Sequence, residues 1–336
     1  MNSSKINFLS KSSILITGGT GSFGKAFVEK TLKKYPEVKI TIFSRDEMKQ
    51  WDMALEYKDD NRVKFIIGDI RDKEGISRAL DGINLVIHAA ATKIVPIAEY
   101  NPYECIKTNI DGAMNLIDAC IDKNISKVVA LSTDKASNPI NLYGATKLAA
   151  DKLFLSANSE DKSHKTIFSV VRYGNVMNSR GSVIPYFLNI KKNGVFPITD
   201  TRMTRFMISL EQAVSLVWRS VNEMYGGEIF IKKIPSMNIM EIAKAIDSKV
   251  KIKIVGIRPG EKIHEQMIGV EDAPYTYEYD DYFKILPAIH GWAEDKKRIG
   301  TGKKVPENFI YDSYSNKQYM SSEELKIWIK ENINEN

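Results

Sequence analysis

The chain has 336 residues, 43% of them hydrophobic, which is enough apolar material for one large domain or a two-lobed enzyme. Its 48 basic and 42 acidic residues are mixed along the whole length, so the net charge of +6 describes a solvated surface with room for a local anion pocket rather than a nucleic-acid-binding tail. The two cysteines make no disulfide framework and the four scattered histidines show no metal-ligand spacing; no apolar run approaches the ~20 residues that cross a bilayer, and the opening MNSSKINFLSKSS is too polar for a secretory signal, so a soluble cytoplasmic protein is expected.

In chain order, a buried strand is predicted over SSILITG (12–18), followed at once by glycines and the helical run KAFVEKTLKKY. Then come a strand at KITIFS (39–44), an amphipathic helix around Glu47 to Tyr57, and a strand at VKFIIGD (63–69). The helix EGISRAL leads to the strand NLVIHAAA (84–91), and a long helix follows from about Pro102 to Lys123. KVVALST (127–133) is a strand, 141–157 a helix, and TIFSVVRYG (166–174) the last strand that the pattern places in the sheet. This alternation predicts an α/β fold, a Rossmann doubly wound parallel sheet with a smaller C-terminal α/β substrate lobe. Residues 1–176 are expected to form the NADP-binding domain, with an amphipathic helix over 209–224 returning to it within a segment of about 205–230. Residues 177–204 and 231–336 are expected to form the substrate lobe, closing over the carboxyl ends of the strands where ligands bind in such sheets.

The segment TGGTGSFG, Thr17 to Gly24, sits between a strand and a helix. Gly18 permits a tight turn, Gly21 lets backbone approach a pyrophosphate, and Gly24 lets the helix pack close. The helix N-terminus beyond, at Ser22 and Phe23, offers N–H groups to phosphate. At the tip of the second strand, Ser44, Arg45 and Lys49 suit a ribose 2′-phosphate, which favours NADP although Asp46 is near. Asp69 and Ile70, after the third strand, are placed at the adenine, and Ala89, Ala90 and Ala91 let a ribose approach the backbone or simply pack tightly.

Tyr143 and Lys147 form a Y-x-x-x-K pair on one helix face, and Thr133 ends the strand before them. A cationic Lys147 is expected to lower the Tyr143 phenol's pKa and to hydrogen-bond the nicotinamide ribose. Tyr143 then takes a proton from a substrate hydroxyl that Thr133 orients.

With these residues in place the chain resembles the extended short-chain dehydrogenase/reductases acting on nucleotide sugars. The run LSTDKASNPINLYGATK resembles more narrowly the inverting UDP-N-acetylglucosamine 4,6-dehydratases that begin pseudaminic acid synthesis. The likeness extends through TGGTGSFGK, FSRDEMKQ, VPIAEYNPYECIKTNI, VVRYGNV, DTRMTRF, GGEIF and GIRPGEKIHE, nearly the whole chain. It implies UDP-N-acetylglucosamine as substrate, a tightly bound and recycled NADP, no membrane or nucleic-acid partner, and a homo-oligomer, either dimer or hexamer. It assigns Asp134 as the acid that protonates the departing C6 hydroxyl and Lys135 as the base at C5. For that role Lys135 is expected to be neutral, its pKa depressed by desolvation and by the cofactor or Lys147 charge. Tyr143, where membrane-anchored relatives often carry Met, points to the inverting type. Arg205 and Arg258 are implied as pyrophosphate ligands through their guanidinium forks. Asn175, Arg180 and Glu261 are implied as further substrate contacts, and Lys93 as part of the substrate wall. Relatives often have His where this chain has Ile94, so no imidazole role is carried over. Two other readings stand beside this one: a C4 epimerase or simple dehydrogenase, which would not use Asp134 and Lys135 as catalysts, and a non-catalytic NADP-binding regulator.

Overall fold

The structure is a computed structural model, and it describes residues 8–160, 165–289 and 291–333. Strands β1 (Ser13–Thr17), β2 (Lys39–Ser44), β3 (Val63–Ile67), β4 (Leu85–His88), β5 (Lys127–Thr133) and β6 (Ile167–Tyr173) are all parallel. They lie in the order β3-β2-β1-β4-β5-β6, so the winding direction reverses between β1 and β4. The Ile, Leu and Val of β1 and β4 have no exposed surface, because helices cover both faces of the sheet. Each such side chain, fully buried, contributes about 1.5–3 kcal/mol from apolar burial.

The sheet is larger than expected. A seventh parallel strand, Ile229–Lys232, pairs with β6, and three antiparallel strands, Tyr282–Ile285, Thr276–Glu278 and Lys303–Lys304, extend the same edge to ten strands. The range 231–336 assigned to the second lobe therefore divides, since part of it completes the main sheet. These strands are only two to four residues long, too short to show an alternation in sequence. The helix Leu210–Glu223 does pack on the first helix, Ser22–Lys34, where the Trp218 indole N–H donates to Thr31 Oγ1 at 3.1 Å. A Ser209–Gln212 capping box fixes its start.

A second core, separate from that of the main sheet, joins Phe187, Phe196, Met203, Met237, Ile242 and Leu325. Phe187 and Phe196 stack at 4.5 Å between ring centroids. The helix expected over Pro102 to Lys123 is interrupted by a π turn at Lys107–Asp111, between Pro102–Ile106 and Gly112–Asp122. Among the described residues no helix is long and apolar enough to cross a membrane.

Candidate active site

The glycine turn lies at the reversal of strand order. Gly18 takes a left-handed φ of 68°, and a Cβ there would stand 2.8 Å from the Ala90 nitrogen. Only glycine lets the end of β1 lie against the Ala89–Ala90 backbone. Gly24 packs the first helix onto the turn itself, for a Cβ would be 2.3 Å from the Gly19 carbonyl oxygen. Gly21 is the N-cap and no side chain caps the helix, which leaves its first N–H groups to a ligand. Ala91, like Ala89 and Ala90, is partly buried behind this turn.

The side chains around this turn have more varied positions than their sequence neighbourhood suggests. Thr17 has no exposed surface; its hydroxyl lies 2.8 Å from His88 Nδ1 and accepts from the Ala89 and Ala90 N–H groups at 3.2 Å. It supports the turn from beneath. The Ser44 hydroxyl accepts from Gln50 Nε2 at 3.0 Å and from Thr20 at 3.3 Å. Arg45 is 56% exposed, 3.7 Å from Asp69, while Lys49 is paired with Asp46, the N-cap of the helix Glu47–Glu56. Burial works against the Asp69 charge, but the Arg71 guanidinium at 2.7 Å holds its carboxyl below the usual value. Ile70 is buried against Gly112, and Phe23 stacks between Phe27 and Tyr173. The Ser22 hydroxyl accepts the Arg180 N–H at 3.1 Å, and Lys93 Nζ donates to the Arg180 carbonyl at 3.2 Å. The chain at Arg180 thus bridges the glycine turn and the segment after β4.

At the end of β5, Thr133 leads into a single 3-10 turn, Asp134–Ala136. The Thr133 hydroxyl donates to Asp134 Oδ1 at 2.9 Å and accepts the Lys135 N–H at 3.3 Å. Gly144 brings the helix Leu142–Glu160 against this turn, since a Cβ there would be 2.2 Å from the Lys135 carbonyl oxygen. Asp134 is 1% exposed, and among the described residues its Oδ2 has no hydrogen-bond partner. Burial raises its pKa, and Lys135 only partly offsets that.

Lys135 Nζ stands between two carboxylates, 3.2 Å from Asp134 Oδ1 and 3.1 Å from Glu265 Oε1. This corrects the expected depression of its pKa. Burial does disfavour the ammonium, but Asp134 and Glu265 together outweigh it and the pKa is raised. The expected Lys147–Tyr143 coupling is corrected as well. Lys147 Nζ donates to the Leu131 carbonyl at 2.7 Å, and its own pKa is lowered by burial. The Tyr143 phenol is pushed up to about 12 by burial, and the cation that pulls against this is Lys135.

The substrate residues divide in two. Arg205 is not an open fork: its guanidinium donates to the carbonyls of Thr204, Ile263 and Lys262 at 2.7–2.9 Å and sits 3.9 Å from Glu265. It ties the GIRPGEKIHE segment to the strand Thr204–Ile208, a correction to its reading as a pyrophosphate ligand. Arg258 is 61% exposed and, among the described residues, its guanidinium pairs with Glu261 alone, at 3.2 Å, so its fork remains presentable to an anion. Asn175 starts a short strand paired with Thr204–Ile208, and its buried Oδ1 has no partner among the described residues.

Four residues escaped the sequence reading. Glu265, 2% exposed, is the second carboxylate on Lys135. Lys262 Nζ donates to the Ser137 carbonyl at 2.6 Å. Asn141 donates to the Gly260 carbonyl and accepts the Gly144 N–H, both at 2.7 Å, and so links the Arg258 loop to the Tyr143 helix. Asn109, on the π turn, binds both Thr92 backbone groups and Thr146 Oγ1 at 2.8–3.0 Å. Glu265 ends a quoted motif, but nothing in its neighbours in sequence distinguishes it from a surface glutamate.

The sheet order, the glycine turn at its switch point and the Thr–Tyr–Lys set after β5 define a Rossmann-type protein of the short-chain dehydrogenase/reductase class. The family described as polysaccharide biosynthesis protein matches residues 14–287, and the chain belongs to it. A UDP-N-acetylglucosamine 4,6-dehydratase (inverting) from Campylobacter jejuni is 52% identical over 93% of this chain and 95% of its own. A UDP-glucose 4-epimerase from Rickettsia conorii is 41% identical over 93% and 94%. Among solved structures, Pen from Bacillus thuringiensis superposes with a TM-score of 0.89 at 37% identity, covering 96% of this chain and 98% of that one. A dTDP-glucose 4,6-dehydratase from Streptomyces venezuelae, solved with NAD bound, shares the fold at a TM-score of 0.67 and 21% identity, covering 75% and 86%.

Proposed function

We propose that this protein dehydrates UDP-N-acetylglucosamine across C5 and C6 with inversion at C5. The product would be UDP-2-acetamido-2,6-dideoxy-β-L-arabino-hexos-4-ulose, the opening step toward pseudaminic acid for a surface glycan. The observation that carries this reading is the pairing of a buried Asp134 with the partly exposed Lys135 beside Tyr143. The likeness to the Campylobacter dehydratase supports it.

The Gly18 cradle and the uncapped helix end fit a dinucleotide pyrophosphate, and the exposed Arg45 fits a 2′-phosphate. Held there, NADP would supply reversible hydride chemistry between C4 and C6, with no net oxidation. Tyr143 receives the C4 hydroxyl proton, and Thr133 orients that hydroxyl. Once C4 is a ketone, conjugation acidifies the C5 hydrogen and Lys135 removes it. Asp134, its pKa raised by burial and its Oδ2 without a partner among the described residues, is the group that delivers a proton to the leaving C6 hydroxyl. Arg258 binds the diphosphate, with Glu261 holding the guanidinium. Lys147 orients the nicotinamide ribose, and Lys93 and Asn175 line the sugar.

The test is purified protein with UDP-N-acetylglucosamine in deuterated water and no added reductant, followed by mass spectrometry and NMR. Loss of one water with deuterium at C5 of an L-arabino product is expected. The Rickettsia likeness favours a second reading, C4 epimerisation of a UDP-sugar. An unchanged mass with C4 inverted would establish that reading and remove the first.

A further inference from the structure

The base assigned to C5 has to meet the sugar as a neutral amine, yet Lys135 sits in an ion pair on both sides. Glu265 is the part of that arrangement that no role yet covers. Its Oε1 lies 3.1 Å from Lys135 Nζ, its Oε2 is buried without a partner among the described residues, and the residue is 2% exposed. The backbone there is locked: the Glu265 N–H donates to Ser313 Oγ at 2.9 Å, and the Ser313 N–H donates to the Glu265 carbonyl at 2.8 Å. Of the two cations paired with it, Lys135 at 3.1 Å is nearer than Arg205 at 3.9 Å, and the lysine side chain is still 22% exposed.

We propose that Glu265 is a positioning residue for dehydration, holding Lys135 Nζ beside Asp134 and accepting its proton so that the amine facing C5 is neutral. This rests on the dehydratase reading. The step balances: the Nζ–H bond breaks as an O–H bond forms on Glu265, leaving amine and carboxylic acid, and the amine then takes the C5 proton to become ammonium again. Substrate covering Lys135 drives the transfer, because a neutral pair loses less hydration on burial than an ion pair does. The charged or titratable groups facing the pair are Asp134 on its own turn, Tyr143 on the helix behind it, Arg205 on the neighbouring strand and Lys262 on the loop before Glu265. In the free protein Glu265 is buried but held below its usual pKa by Lys135 and Arg205, so the resting pair is ionic.

A shared proton makes the active form persist as pH changes, whereas a lysine without this acceptor must lose its proton to solvent. Glu265→Gln is therefore expected to slow C5–H exchange at neutral pH at least about tenfold and to add a rate that climbs about tenfold per pH unit. C4 oxidation, read as the transient cofactor absorbance in a single turnover, should change little. Glu265→Asp should restore the flatter profile in part. A fall that is equal at every pH, or no fall, would overturn the proposal.

A second measurement needs no substrate and stands even if the dehydratase reading fails. The pH midpoint for reductive methylation of Lys135, followed by peptide mass spectrometry, should drop by about one unit in Glu265→Gln. An unchanged midpoint in both Glu265→Gln and Glu265→Asp would refute the coupling. Wild-type protein that methylates as expected but leaves UDP-N-acetylglucosamine intact would sink the function alone.

Discussion

Two parts of the site are built by different means. The edge proposed for the cofactor is a backbone device: Gly18, Gly21 and Gly24 shape a turn whose partners are the Ala89–Ala90 main chain and a helix end. The corner proposed for proton transfer is a charge device, in which Asp134, Lys135, Glu265 and Arg205 come together from three separate segments, the two carboxylates buried and the two cations partly exposed. In the first, shape is decided by the absence of a Cβ. In the second, each group's ionisation depends on its neighbours, and burial alone predicts the wrong direction for Lys135. A backbone site tolerates changes of charge but not of bulk; a charge site behaves the other way.

Substitutions can test that contrast. The largest effect expected is from Lys135→Ala, which should lower product formation about a thousandfold while cofactor binding, followed by fluorescence titration, is retained. Loss of both together would mean that the two regions are not independent.

Next comes acid sensitivity through His88, which lies beneath the glycine turn and near Lys147. Burial, and then the Lys147 charge, lower its pKa from 6.5 to about 3. Below pH 6.5 the unfolded chain takes up a proton that the folded imidazole refuses, so stability falls as pH drops from 6.5 toward 3. The loss should reach about 3 kcal/mol by pH 4. Urea midpoints measured across this range, with His88→Asn as the reference, should show a slope in the wild type that the variant lacks.

Gly18→Ala should cost about 2 kcal/mol in the same unfolding experiment, from a strained φ and a contact with the Ala89–Ala90 backbone. It should also abolish cofactor binding. Normal binding would show that the cradle is not where the dinucleotide lies. The smallest effect is expected from Arg258→Ala, a rise in KM of about tenfold with kcat nearly unchanged, because an exposed fork contributes the same to ground and transition states. An equal loss in kcat would move Arg258 into the proton-transfer corner.

The sequence by itself determined the parallel sheet from β1 to β6, the glycine turn, and the sharing of one helix by Tyr143 and Lys147. These are local or periodic facts: a run of β-branched residues, a turn that needs left-handed φ, a four-residue helical spacing. It did not show that the C-terminal strands Tyr282–Ile285 and Thr276–Glu278 complete the main sheet, since so short a strand carries no period. Nor did it show that Arg205 is committed to backbone carbonyls, that Lys147 rests on Leu131, or that Glu265 joins Lys135. Tertiary structure alone decided those, because a buried charge takes its state from groups remote in the chain, and only folding brings those groups within a hydrogen bond of one another.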